Sequence, residues 1–345
     1  MKTVLWALAG MGAGLALLLL AALTYQSLGR FRDRRRFPPP GRMVRVGRHR
    51  VHLLEAGTGE PTVVFDAGLP GTCLGWCYVQ PAVAEFTRTV SYDRAGLGWS
   101  ERGPRPRTTQ QIVAELRAAL ARAGIAPPYV LVGHSFGGFT AQLFALTYPE
   151  EVAGVVLVDS IHPGEWLAPD EETLRRMAAG IRLARRTAWL ARLGAMRFYF
   201  WLIARRAVTP AAPSDWVASL QKMPRELLPA LRAIWSEAKP YQTLADQIEA
   251  LRTSAAQVAE ADAPCAVPLV VLSAGNADAR RLREAAATAK RSSRGVHIVA
   301  HGSGHWIQLE QPALIIAAIR QIVEQYRQTG GWGTASVQPG SEMIH

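Results

Sequence analysis

Tyr129-Val130-Leu131-Val132-Gly133-His134-Ser135-Phe136-Gly137-Gly138 is the stretch from which the fold can be read. Its first four residues form a short, unbroken apolar run, the kind that lies buried on both faces of a parallel sheet. Phe136–Leu146 then carries helical periodicity. Between strand and helix stands G-x-S-x-G, a turn so tight that only small residues fit on either side of Ser135. Such a turn pushes the serine hydroxyl above the strand ends and close to the helix N-terminus. The five-residue pattern is common by chance; the flanking strand and helix make it specific.

Working outward, the same alternation recurs. Val51–Glu55, Thr62–Asp66, Thr87–Tyr92, Val155–Val158, Leu269–Ser273 and His297–Val299 read as further strands. Thr109–Ala123 and Pro312–Tyr326 read as helices, the first with Thr108 and Gln111 as a capping box. Strands alternating with helices predict an α/β fold, an open and mostly parallel sheet flanked by helices. One interval breaks the rhythm. From Ile161 to Pro264 only helical pattern is found, too long for a connecting loop, so a helical lid inserted between two sheet strands is predicted.

A serine hydroxyl is a weak nucleophile at neutral pH and needs a base, itself held in one tautomer by a carboxylate. On a strand–turn–helix scaffold of this type the chain order is serine, acid, histidine. Of eight histidines, His305 in Gly302-Ser303-Gly304-His305 follows the last predicted strand and precedes the last helix, so its loop can reach the serine. His134, His297 and His301 are less well placed, although His134 can line the pocket. For the acid the reading prefers Asp278, a few residues past a strand and a glycine, with Asp159 at the end of Val155–Val158 as the alternative.

Four motifs in order resemble the α/β-hydrolase superfamily, in a lid-bearing, esterase- or lipase-like branch. Asp66-Ala67-Gly68-Leu69-Pro70-Gly71 is similar to its His-Gly oxyanion loop, with Ala67 where the histidine stands. Asp93-Arg94-Ala95-Gly96-Leu97-Gly98-Trp99-Ser100 is similar to D-x-R-G-x-G-x-S, and Gly133–Gly138 and Gly304-His305 resemble the serine turn and the histidine loop. The resemblance covers residues 45–160 and 265–326. It implies Ser135 as nucleophile, His305 as base and Asp278 or Asp159 as acid. It also implies an oxyanion hole from the N–H groups of Leu69 and Phe136, and a pocket flanked by Gly68, His134 and Trp306. Relatives that open epoxides or remove halides carry Asp at the turn, whereas Ser135 implies an acyl-enzyme and cleavage of an ester, thioester or amide. Two other readings are acyl transfer or cofactor-free lyase chemistry on the same scaffold, and a membrane-tethered binding protein without activity, for which Ala67 and the choice left open between two acids are the motives.

Composition bounds the rest. The 345 residues are 49% hydrophobic and 19% charged, with a net charge of +12 from 39 Lys+Arg against 27 Asp+Glu. The basic surplus is not laid out as a nucleic-acid face, since no zinc-finger spacing or ribonucleoprotein motif is present. It gathers beside the N-terminus and near residues 175–206. Three cysteines, Cys73, Cys77 and Cys265, make neither a disulfide framework nor a metal set, and no phosphate loop or cofactor motif is found.

Val4–Leu23 runs without a charge for the thickness of a bilayer core, flanked by Trp6 and Tyr25. Arg30, Arg32, Arg34, Arg35 and Arg36 follow, which predicts a single-pass anchor with the catalytic domain on the cytoplasmic side, export being the alternative. The expected organisation is an anchor (1–28), a basic, Pro-rich spacer (29–42), core (43–160), lid (161–264), core again (265–329) and a disordered tail (330–345). In the lid, Leu174–Arg206 interleaves Arg with Leu, Trp, Phe and Tyr. This pattern fits either a solvated helix covering the active site or a helix lying on anionic lipid. Lid aromatics, Trp216 among them, could line an apolar acyl pocket, so a small apolar ester is the expected substrate.

Overall fold

The computed structural model describes residues 1–205, 220–261 and 264–330. Its centre is one eight-stranded sheet in the order β1-β2-β4-β3-β5-β6-β7-β8. The strands are β1 (Arg42–Val46), β2 (His49–Ala56), β3 (Thr62–Asp66), β4 (Thr89–Asp93), β5 (Tyr129–His134), β6 (Val152–Val158), β7 (Leu269–Ala274) and β8 (Gly295–Ala300). From β4 to β8 all pairs are parallel, while β1–β2 and β2–β4 are antiparallel. β1 is absent from the strands expected above. Its Arg42 and Arg45 break the apolar run, and it forms by hairpin pairing with β2 across Gly47, whose φ is +59°.

Alternate residues of each central strand point to opposite faces and feed separate cores. Leu131, Val155, Leu157 and Val271 pack with helices α3 (Thr109–Arg122) and α4 (Gly137–Thr147). Val130, Val132, Val156 and Leu272 pack on the other face, against the C-terminal helix Pro312–Thr329. The Thr108 hydroxyl caps α3 by accepting from the Gln111 N–H.

Residues 161–205, 220–261 and 264 contain helices and no strand. The lid helices are α5 (Gly164–Leu167), α6 (Glu171–Arg192), α7 (Ala195–Ala204), α8 (Leu228–Trp235), α9 (Ala238–Glu249) and α10 (Leu251–Glu260). They join the body through a third cluster in which Trp235, Tyr241 and Leu231 meet Cys73, Leu74 and Leu309, with Trp306 against it. Arg206, Trp216 and the tail beyond Gly330 lie outside the described residues.

The N-terminal helix α1 runs from Lys2 to Arg36, 35 residues. It is the one helix among the described residues long and apolar enough to cross a membrane, with a mean hydropathy of 2.2 over its best window. The helix does not stop at residue 28. The arginines that follow are good helix formers, and it ends only where Phe37 precedes Pro38. The basic half of the expected spacer is therefore helical. It also rests on the lid: Gln26 donates to the Ser236 carbonyl at 3.0 Å, and Arg197 pairs with Asp33 at 2.5 Å.

Candidate active site

Ser135 and Asp159 are the only non-glycine residues with positive φ among the described residues, at +52° and +39°. That backbone region is unfavourable for a side-chain-bearing residue and persists only where the surroundings impose it. At Ser135 they do. Its N–H donates to Val158 O at 3.0 Å, tying the turn to the end of β6. A Cβ on Gly133 would sit 2.4 Å from the Gly137 carbonyl oxygen, and one on Gly137 would sit 2.4 Å from the Asp66 carbonyl oxygen. The two glycines thus let strand, turn and helix close on one another. The Ser135 hydroxyl makes no hydrogen bond among the described residues.

The turn after β6 delivers Asp159. Its N–H donates to Leu272 O at 2.7 Å, Oδ1 accepts from the Ala274 N–H at 3.0 Å, and Oδ2 lies 2.5 Å from His305 Nδ1. Burial would raise this carboxyl's pKa. The hydrogen bond and charge of His305, the Ala274 N–H and Arg281 outweigh it and hold the group below the usual carboxylate range. With Nδ1–H committed to Asp159, His305 is left with Nε2 as an acceptor, the form a general base needs.

Asp278, the acid preferred from sequence, is elsewhere. It is exposed and caps the helix Ala279–Ala289 by accepting from the Arg281 N–H at 2.9 Å. The short segment after β7 sends it to a helix N-terminus, where a carboxylate satisfies an otherwise open N–H. The carboxylate brought to His305 is that of Asp159.

The histidine loop is held from both sides. Glu310 accepts from the Ser303 hydroxyl at 2.7 Å and from the Gly304 N–H at 2.5 Å, and also pairs with Lys222. His134 donates from Nε2 to the His305 carbonyl at 2.9 Å, and its ring lies 4.6 Å from that of His305 and 5.1 Å from that of Trp306. Burial, then the neighbouring charge of His305, pushes the His134 pKa down to about 3, so its ring is neutral at ordinary pH. A Cβ on Gly68 would stand 2.9 Å from Ser135 Cβ and 3.0 Å from His134 Nδ1. Gly68, His134 and Trp306 are therefore gathered beside Ser135 and His305.

Neither the Leu69 nor the Phe136 N–H donates to any acceptor among the described residues. The loop before Leu69 is fixed by a residue whose part was not read from sequence, Arg94. Its guanidinium, 2% exposed, donates to Asp66 Oδ1 at 2.7 Å, to the Ala67 carbonyl and to the Gly68 carbonyl at 2.6 Å. It also lies 5.1 Å from the centre of the Phe136 ring. One planar cation thus draws the loop carbonyls to its own side while touching the residue after the serine. The D-x-R motif was the available signal, but spacing alone does not say where its arginine points.

His52, Cys73 and Asp93 form the one set with metal-ligand spacing among the described residues. Its polar atoms are already satisfied. His52 Nδ1 donates to Asp93 at 2.9 Å, its Nε2 accepts from the Gly41 N–H at 3.1 Å, and Asp93 also accepts from the Cys73 and Trp99 N–H groups. Burial, and then the charge of Asp93, pushes the Cys73 thiol well above its ordinary pKa. The set works as a knot beneath the D-x-R segment.

Comparison with known proteins bears on the fold and the family. A model described as "Alpha/beta hydrolase family" matches residues 63–318. The chain is 34% identical over 103 residues to the uncharacterized protein YqjL of Bacillus subtilis, covering 30% of this chain and 41% of that protein, so the match spans less than half of its length. It is 29% identical over 221 residues to a Klebsiella pneumoniae protein named "Putative carbamate hydrolase RutD", covering 63% of this chain and 74% of that one. The structure of a thermophilic esterase from Thermogutta terrifontis superposes with a TM-score of 0.56 at 22% identity, over 82% of this chain and 96% of that chain. The chain belongs to the alpha/beta hydrolase family, the family model and the sheet order agreeing on the fold.

Proposed function

We propose that this protein is a serine carboxylic-ester hydrolase working through an acyl-enzyme, with Ser135 as nucleophile, His305 as base and Asp159 as the orienting acid. The observation that supports the reading is that two strained residues, Ser135 and Asp159, follow directly on the neighbouring strands β5 and β6, with His305 bonded to the second at 2.5 Å. His305 Nε2 takes the Ser135 proton as the hydroxyl oxygen attacks the acyl carbon. The resulting imidazolium is stabilised by Asp159 and returns the proton to the leaving alcohol. The tetrahedral oxyanion is received by the N–H groups of Leu69 and Phe136, donors worth about 3–4 kcal/mol each in comparable sites. Being main-chain donors, they do not need a histidine at position 67. Water then repeats the sequence on the acyl-enzyme.

An apolar acyl group is the substrate that suits the surroundings. Trp306, next to His305, belongs to the cluster that Trp235, Tyr241 and Phe200 extend from the lid. We read α1 as a single-pass anchor that holds the domain at a membrane, on the cytoplasmic side by its arginine excess. Fluorophosphonate labelling of the full chain in detergent tests the chemistry. Labelling of the wild type and none of Ser135→Ala is expected; equal labelling of both would remove Ser135 from the mechanism.

A further inference from the structure

Large exposed apolar side chains outside α1 gather in one place. Besides Tyr78, Leu167 and Leu174, every such residue among those described belongs to the second half of α6, to α7 or to the corner between them: Leu183, Trp189, Leu190, Leu193, Phe198 and Trp201. Single exposed apolar residues need no explanation, but a contiguous set marks a surface that something covers. Leu183 and Leu190 lie two turns apart on one face of α6, and Leu193 follows at its C-terminal cap. Phe198 and Trp201 stack at 5.5 Å on α7.

The same surface is basic. Arg182, Arg186 and Arg192 form no ion pair among the described residues, whereas Arg185 pairs with Glu249. Arg192 lies over the Trp189 ring at 4.5 Å and Arg205 over the Trp201 ring at 4.4 Å. Aromatic rings with guanidinium groups above them suit the zone between lipid headgroups and acyl chains.

The tie to α1 sets the depth. The apolar run ends at Leu23, and with about 1.5 Å rise per residue Tyr25 and Gln26 stand roughly 3–5 Å beyond it. That is within the polar layer, roughly 5–7 Å thick on each side of the hydrocarbon. Tyr25 abuts Gly194, where an added Cβ would come within 2.7 Å of its ring, and Arg197 donates to Gln26 at 3.0 Å. The α6–α7 corner is thereby held at headgroup level.

We propose that the exposed face of the second half of α6 and of α7 lies on an anionic phospholipid bilayer. Trp189, Phe198 and Trp201 enter the interfacial zone, and Arg182, Arg186 and Arg192 meet lipid phosphates. The proposal rests on the reading of α1 as a membrane anchor. The test uses the full chain reconstituted into phosphatidylcholine vesicles, with or without about a third of phosphatidylserine, the acyl chains brominated either near the headgroup or deep.

Tryptophan emission is compared between wild type and Trp189→Phe/Trp201→Phe. The wild type should lose a larger share of its emission than the variant, mostly to shallow bromines. On phosphatidylserine, Arg182→Glu/Arg186→Glu/Arg192→Glu should reduce that difference by roughly half or more, as expected for charges drawn to an anionic surface. If the chain floats with the vesicles but wild type and the tryptophan variant are quenched alike, docking is wrong and the anchor stands. If the triple-glutamate variant is quenched like wild type, the anionic lipid is not the partner. If the full chain fails to float, anchor and docking fall together.

Discussion

Asp159 and Asp278 carry the same functional group and differ only in where the chain leaves them. One is buried against His305 and the Ala274 N–H; the other is an exposed helix cap. Asp159→Asn should lower kcat by roughly 10²–10⁴-fold, as loss of the orienting carboxylate does in triads. Asp278→Ala should leave kcat unchanged and lower Tm slightly, and steady-state kinetics beside thermal melts separate the two. Arg94 is tested at the same scale. Arg94→Lys keeps the charge but loses the planar fork that reaches both loop carbonyls. It should lower kcat by roughly 10²-fold with KM little changed, as when one oxyanion donor is lost. His134 supplies a pH signature. Its folded pKa, about 3, lies below the ordinary 6.5, so only the unfolded chain takes up its proton between those values. Its contribution to stability is present in full above about pH 6.5 and is lost as pH falls toward about 3. His134→Gln should flatten the acid side of a plot of Tm against pH.

At the scale of elements, strand, turn and helix are joined at the serine by contacts that admit no added atom. Gly137→Ala would place a Cβ 2.4 Å from the Asp66 carbonyl oxygen, which is backbone and cannot swing away. A loss of about 1–3 kcal/mol is expected, the usual cost of overpacking, measurable by chemical denaturation. Much of this was legible beforehand because it is local: an apolar run, two glycines and a helical period lie consecutively in the chain. β1 was not legible, because it owes its form to its partner β2 and its arginines disguise the strand pattern. Nor was the grip of Glu310 on the histidine loop, since Glu310 reaches back from a later helical turn to Ser303 and Gly304.

For the molecule as a whole, the N-terminal helix is also a packing partner of the lid. Its last turns are bonded to the lid through Gln26, Arg30 and Asp33. Removing residues 1–23 should leave the lid intact. Removing residues 1–36 takes away those contacts and strands Arg197, so the lid should become sensitive to limited proteolysis and Tm should fall. The sequence by itself determined the family and the α/β layering, because strand and helix periods and a glycine-flanked serine are written in neighbouring residues. Only the tertiary structure decided which carboxylate stands beside His305, where the Arg94 guanidinium points, and that α1 rests on the lid. Asp159 and His305 are 146 positions apart, and Asp33 and Arg197 are 164 apart. Such meetings depend on how sheet, loops and lid close in space, which no local pattern encodes.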